Sequence, residues 1–165
     1  MIVLFDTCAL ISLANPANKF HAVADECYRL LRKGKHRLLA SVISVAEFGV
    51  KDDIKSIDSW EFRVPSFEIT HAAKAAQFAR LTGDKEKLPR SEDHSRKCIA
   101  ADTQILAQAE VEQVDFVLTL DKKTLAKTAE ALKSESLLHA SVVELSDDPL
   151  FHLGLASSPI LTLNQ

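Results

Sequence analysis

The sequence predicts an α/β fold, a three-layer α/β/α sandwich around a mainly parallel central sheet. Short apolar runs alternate along the chain with stretches whose apolar residues recur at helical spacing, the pattern of strands joined by crossover helices. The first run, Ile2-Val3-Leu4-Phe5, is apolar at every position. That is what a strand buried on both faces requires, and it stops at Asp6.

The remaining elements follow in order. Cys8 to Ala14 forms a short helix, ended by Asn15-Pro16. Phe20, Val23, Ala24, Cys27, Leu30 and Leu31 mark a second helix with Gly34 at its C-terminal cap. Leu38 to Ile43 reads as a second strand, and Ser44 opens a helix running to about Val50. Phe62 to Phe67 is a brief extended segment. Thr70 caps an alanine-rich helix that runs through Arg80, with Gly83 past its end. Residues 83–97 carry four acids, five bases and Pro89, with only Leu88 to bury, and read as an exposed loop. A helix from Arg96 to Glu110, a strand Phe116 to Leu120, a helix Thr124 to Lys133 and a last strand Ser141 to Leu145 complete the domain. Residues 1–145 form that domain. Residues 146–165 form an apolar tail, uncharged after Asp148, expected to pack on the domain or on a second subunit.

Composition narrows the function. A chain of 165 residues, 47% hydrophobic and 26% charged, supports one globular domain with a substantial core. Its 4 glycines are all far apart, which excludes glycine-rich phosphate cradles. The net charge of −3 means that any nucleic acid must be held by a local basic patch. Aromatic residues make up only 6%, too few for a base-stacking platform. The 3 cysteines include no CxxC pair, so neither a disulfide framework nor a zinc site is expected, and a reducing cytosol fits. No basic signal region precedes the first apolar run, and no run approaches the roughly 18 residues of a membrane span. The sequence therefore predicts a cytoplasmic protein.

The informative residues are acids in apolar places. Asp6 and Asp121 each end an apolar strand, and in a parallel sheet both would emerge at the carboxyl edge, where such sheets bind ligands. Each could equally be a helix cap or turn residue. Asp102 lies on the stripe Cys98, Asp102, Ile105, Ala109 that its helix should bury. A carboxylate there needs a cation, a donor network or a water-filled pocket. Ser44-Val45-Ala46-Glu47 fits a capping box, which would bond Glu47 back to its helix start, yet that helix also begins beside the same sheet edge. Four carboxylates converging there repel one another unless a cation is bound, and an all-oxygen set selects Mg²⁺ or Mn²⁺. Such an ion can generate a hydroxide and steady the charge of a phosphodiester being cut.

These motifs, in this order, resemble those of PIN-domain nucleases over roughly residues 1–145. Ile2 to Leu10 is similar to the family's opening strand with its following Asp, here Asp6. Ser44-Val45-Ala46-Glu47 resembles its Glu-bearing helix, Asp102 to Ala109 its Asp-x-x-Ile-x-Ala-x-Ala helix, and Val117 to Asp121 its strand ending Thr-x-Asp. Cys8 stands where a small hydroxyl residue is often found, and Leu125 where an aromatic commonly follows. The size looks most like the VapC-type toxins of toxin–antitoxin pairs. The resemblance implies a Mg²⁺- or Mn²⁺-dependent ribonuclease, usually dimeric, silenced by a cognate antitoxin. Asp6, Glu47, Asp102 and Asp121 would be its metal-binding acids. Thr119, and more loosely Thr7, would orient a carboxylate, a water or a phosphate. Arg96, Lys97, Lys122 and Lys123 would flank the acids and hold substrate phosphates. Asp93, Asp115 and His94 are read as surface residues. The competing reading is a catalytically inactive RNA-binding or scaffold protein of the same fold. A receiver domain fits less well, because Asp6 has no acidic neighbour in sequence and no lysine follows a late strand in the required place.

Overall fold

The computed structural model describes residues 1–50, 52–55, 57, 60–82 and 96–156. Four strands, β1 (Ile2–Phe5), β2 (Arg37–Ala40), β3 (Phe116–Thr119) and β4 (Ser141–Glu144), form a sheet in the order β2-β1-β3-β4. Every pair is parallel, with Leu4 opposite Leu39 on one side and Val117 on the other. The helices described are α1 (Thr7–Ala14), α2 (His21–Lys33), α3 (Val42–Phe48), α4 (Ile69–Thr82), α5 (Arg96–Val111), α6 (Leu125–Ser134) and α7 (Pro149–His152).

Alternation along each strand divides the core in two. Val3, Phe5, Leu38, Ala40, Leu118 and Val143 face one way and pack on α1, α2 and α7 through Leu10, Leu13, Leu31 and Leu150. Leu4, Leu39 and Val117 face the other way, onto Phe78 of α4, Ile105 and Leu106 of α5, and Leu132 of α6. Each fully buried Leu or Phe of this kind contributes about 2 kcal/mol. The result is the predicted three-layer sandwich. Leu155 and Ala156 lie against the first of these cores, and residues 157–165 fall outside the described part.

Several boundaries differ from the sequence reading. β2 ends at Ala40, because Ala40 N–H bonds the carbonyl of Arg63 at 3.1 Å and the chain then turns into a helix. Ser41, not Ser44, caps α3: its side chain accepts the N–H of Ile43 at 3.1 Å. The capping box is therefore absent, and Glu47 lies in the second turn of α3. α4 opens at Ile69, one residue before Thr70; the His71 ring nitrogen Nδ1 accepts the Glu68 N–H at 2.9 Å. Gly34 does cap α2, while the left-handed residue beyond it is Lys35, at φ 55°.

The chain leaves β1 for β2 on one side and later crosses to β3 on the other. This reversal opens a crevice beyond the carboxyl ends of β1 and β3. Among the described residues no helix is long and apolar enough to cross a membrane.

Candidate active site

Asp6 follows β1 directly and is 3% exposed. Its Oδ1 accepts the Ala9 N–H at 2.7 Å, capping α1, and its Oδ2 accepts the Thr119 hydroxyl at 2.5 Å. Burial pushes this carboxyl up from 3.8 to about 7. The two hydrogen bonds hold it down in part, and the charges of Asp121 and Asp102 push it further up.

Thr119, at the end of β3, is fully buried and connects two acids. While donating to Asp6, its hydroxyl accepts the backbone N–H of Asp121 at 2.8 Å. Asp121 then shapes the turn into α6. Its Oδ1 accepts the N–H groups of Lys123 at 2.9 Å and Thr124 at 2.8 Å, and its Oδ2 accepts the Thr124 hydroxyl. Asp6 and Asp121 are thus both cap or turn residues and both at one sheet edge.

Glu47 comes from α3, which leaves β2 at the same edge, and its side chain is exposed. Its Oε2 accepts the Thr7 hydroxyl at 2.5 Å. Asp102 lies in the amino-terminal half of α5, the half nearer the carboxyl edge, and is only 7% exposed.

One group registers all four acids. The half-buried Cys8 thiol is pushed up to about 12, first by burial and then by the charges of Asp6, Asp121, Glu47 and Asp102. Asp6, Glu47, Asp102 and Asp121 thus all lie near enough to Cys8 for their charges to act on its thiol. Among the described residues no three His, Cys, Asp or Glu side chains stand close enough together to hold a metal ion, so the four acids do not meet at a point. In their chemistry they fit a divalent cation. The donors are carboxylate oxygens, suited to Mg²⁺ or Mn²⁺, and Asp6, raised chiefly by burial and further by the charges of Asp121 and Asp102, would be eased by a cation beside it.

The basic residues are placed less uniformly. The Lys122 ammonium is held by Glu144 Oε2 at 2.5 Å, which lifts its pKa, and Lys123 is exposed. Arg96 and Lys97 open α5, but their side chains lie outside the described structure, as do Asp93 and His94. Asp115 is not a surface acid: it is half-buried at the amino edge, where its Oδ2 accepts the Ile2 N–H at 2.6 Å.

No protein-family model matches the sequence, and no curated protein matches it. Solved structures do. VapBC2 from Rickettsia felis, bound to a DNA fragment from their promoter, aligns at a TM-score of 0.56 over 87% of this chain and 98% of that chain, with 15% identity. VapBC-1 from nontypeable Haemophilus influenzae aligns at 0.55 over 88% and 99%, with 19% identity. The fold is VapC-like. Such a fold carries the α/β/α layering and the switch point between β1 and β3.

Sequence reasoning missed two features of this site. Cys8 was noted only as standing where a small hydroxyl residue is often found, yet its thiol feels the charges of all four acids; its position next to Thr7, at the start of α1, was the available signal. Gln108 was passed over. It is fully buried and bonds α3 to α5, and the available signal was an amide inside the apolar run Ile105 to Ala109.

Proposed function

We propose that this protein is a metal-dependent endoribonuclease that hydrolyses RNA phosphodiester bonds. The observation that carries the reading is the pair Asp6 and Asp121 at the carboxyl ends of β1 and β3, joined through Thr119 at the topological switch point, with Glu47 bonded to Thr7 beside Asp6. These four acids would hold Mg²⁺ or Mn²⁺, and when bound such an ion supplies an activated water and stabilises charge on the phosphoryl oxygens. Thr119 keeps the Asp6 carboxylate turned toward the crevice and fixes the backbone of Asp121, while Thr7 steadies Glu47. Arg96, Lys97 and Thr7 are the candidates for phosphate contacts; Lys122 would join them only by leaving Glu144.

The likeness to two VapBC structures supports a toxin role with a cognate antitoxin as partner; the protein would act as a cytoplasmic homodimer. Residues 1–145 would be the nuclease unit. The test incubates the purified protein with single-stranded RNA, structured RNA and duplex DNA, with Mn²⁺, Mg²⁺ or a chelator. RNA cleavage that needs the cation and disappears in Asp6→Asn is the expected result. RNA binding without cleavage, unchanged by that substitution, would favour the scaffold reading.

A further inference from the structure

Gln108 is fully buried on α5, in a stretch where Ile105, Leu106, Ala107 and Ala109 are buried as well. An amide left unsatisfied there would be costly, and a methionine would fill similar space without that demand. Gln108 meets the demand with bonds to two other segments. Its Oε1 accepts the Val42 N–H at 3.2 Å, and its Nε2 donates to the carbonyls of Pro65 at 2.8 Å and Ser66 at 3.4 Å. The amide fits only one way round, because Val42 offers a donor and the other two offer acceptors.

Val42 is the first residue of α3, and its N–H is one that a helix start leaves without an intrahelical partner. The adjacent N–H, of Ile43, goes to Ser41. The clamped segment 65–66 follows Arg63, which pairs with the edge of β2 through the Leu38 carbonyl and the Ala40 N–H. One side chain on the Asp102 helix therefore pins the start of the Glu47 helix and the strand edge from which it departs.

We propose that Gln108 is a positioning residue that sets Glu47 against Asp6, Asp102 and Asp121, a role that rests on the nuclease reading. It touches none of these carboxylates and acts through the backbone of α3. A helix rises 1.5 Å per residue, so Glu47 sits about 7.5 Å along a stiff rod from the pin, and any shift at Val42 reaches its carboxylate. Asp6 and Asp121 have anchors of their own in Thr119, Ala9 and the Asp121 turn; exposed Glu47 has the Thr7 hydroxyl, which its carboxylate meets only where its helix places it.

The test compares the parent with Gln108→Met, which keeps the length and removes all of these hydrogen bonds. A second variant, Gln108→Glu, keeps an acceptor for Val42 and regains a donor for Pro65 only when protonated. Mn²⁺ affinity of the metal-free protein is measured by electron paramagnetic resonance, and kcat and KM with a single-stranded RNA oligonucleotide. Gln108→Met is expected to weaken Mn²⁺ binding and lower kcat by about 10-fold or more, as loss of an outer-shell partner does, with KM for RNA nearly unchanged. For Gln108→Glu, kcat relative to the parent rises as pH falls from about 8 to about 6 and the buried carboxyl takes up its proton. A purely structural role would lower the melting temperatures and leave Mn²⁺ affinity and kcat at the parent's values, which overturns the proposal. Should Gln108→Met fail to fold, a Gln108→Glu kcat in constant ratio to the parent across that pH range overturns it alone. A parent that neither binds Mn²⁺ nor cuts RNA overturns the nuclease reading, and this proposal with it.

Discussion

The two ends of the parallel sheet use acids in opposite ways. At the amino edge, Asp115 accepts the Ile2 N–H at 2.6 Å and Glu110 accepts the His139 N–H at 2.7 Å. Each acid there serves one backbone donor. At the carboxyl edge, Asp6 and Asp121 also serve backbone donors, yet they share their surroundings with Asp102 and Glu47, and Asp6 is driven up to about 7. A capping bond explains an acid standing alone. It does not explain two acids sharing one buried threonine, with the charge of a third pressing on Asp6.

Substitution should separate the two edges. Asp6→Asn removes a proposed ligand, and RNA cleavage should fall by more than about 100-fold, beyond what outer-shell changes cost. Its metal-free melting temperature should match or exceed the parent's, because the change relieves repulsion. Asp102→Asn should behave alike. Asp115→Ala should do the reverse: activity per folded molecule stays near the parent's, while stability drops by about 1–3 kcal/mol as the Ile2 N–H loses a charged acceptor. Cleavage assays paired with chemical denaturation of the three variants check this. Equal behaviour at both edges would break the comparison.

The pH dependence sharpens it. Asp6 titrates near 3.8 when unfolded and about 7 when folded, so between these values the native metal-free protein holds the extra proton. Its contribution to stability is complete below about pH 4 and is lost as pH rises through 7. At about 1.4 kcal/mol per pKa unit the whole span is about 4 kcal/mol. Denaturation of the parent at several pH values, with Asp6→Asn as reference, should show that slope in the parent alone. Millimolar Mn²⁺ should flatten it and raise the melting temperature, since a cation bound only by the folded state stabilises it by mass action. Replacing Thr119 with valine is a smaller perturbation, expected to cut cleavage by about 10-fold while Asp6 keeps its bond to Ala9.

Much of this was legible in the sequence because burial leaves a direct mark. Ile2 to Phe5 and Phe116 to Leu118 are apolar throughout because the sheet is covered on both faces, and Asp6, Asp102 and Asp121 stood out against that background. The start of α3 was misread because its boundary is set by distant partners. Arg63 takes the last β2 N–H and Gln108 the first helical one, and neither is near in sequence. The local Ser44-to-Glu47 pattern matched a capping box by composition alone. Gln108 escaped for a related reason: its bonds run to residues 42, 65 and 66, which no spacing rule connects.

The central claim is that the carboxyl-edge acids form one divalent-cation site, and direct Mn²⁺ titration of the metal-free protein tests it most simply. Electron paramagnetic resonance of free Mn²⁺ should show one ion bound per chain. Binding should weaken by about 10-fold or more in Asp6→Asn, Glu47→Gln, Asp102→Asn and Asp121→Asn, and stay at the parent's value in Asp115→Ala. A parent that leaves the free Mn²⁺ signal unchanged at millimolar ion, or that binds it as tightly without Asp6 and Asp102, would contradict the account.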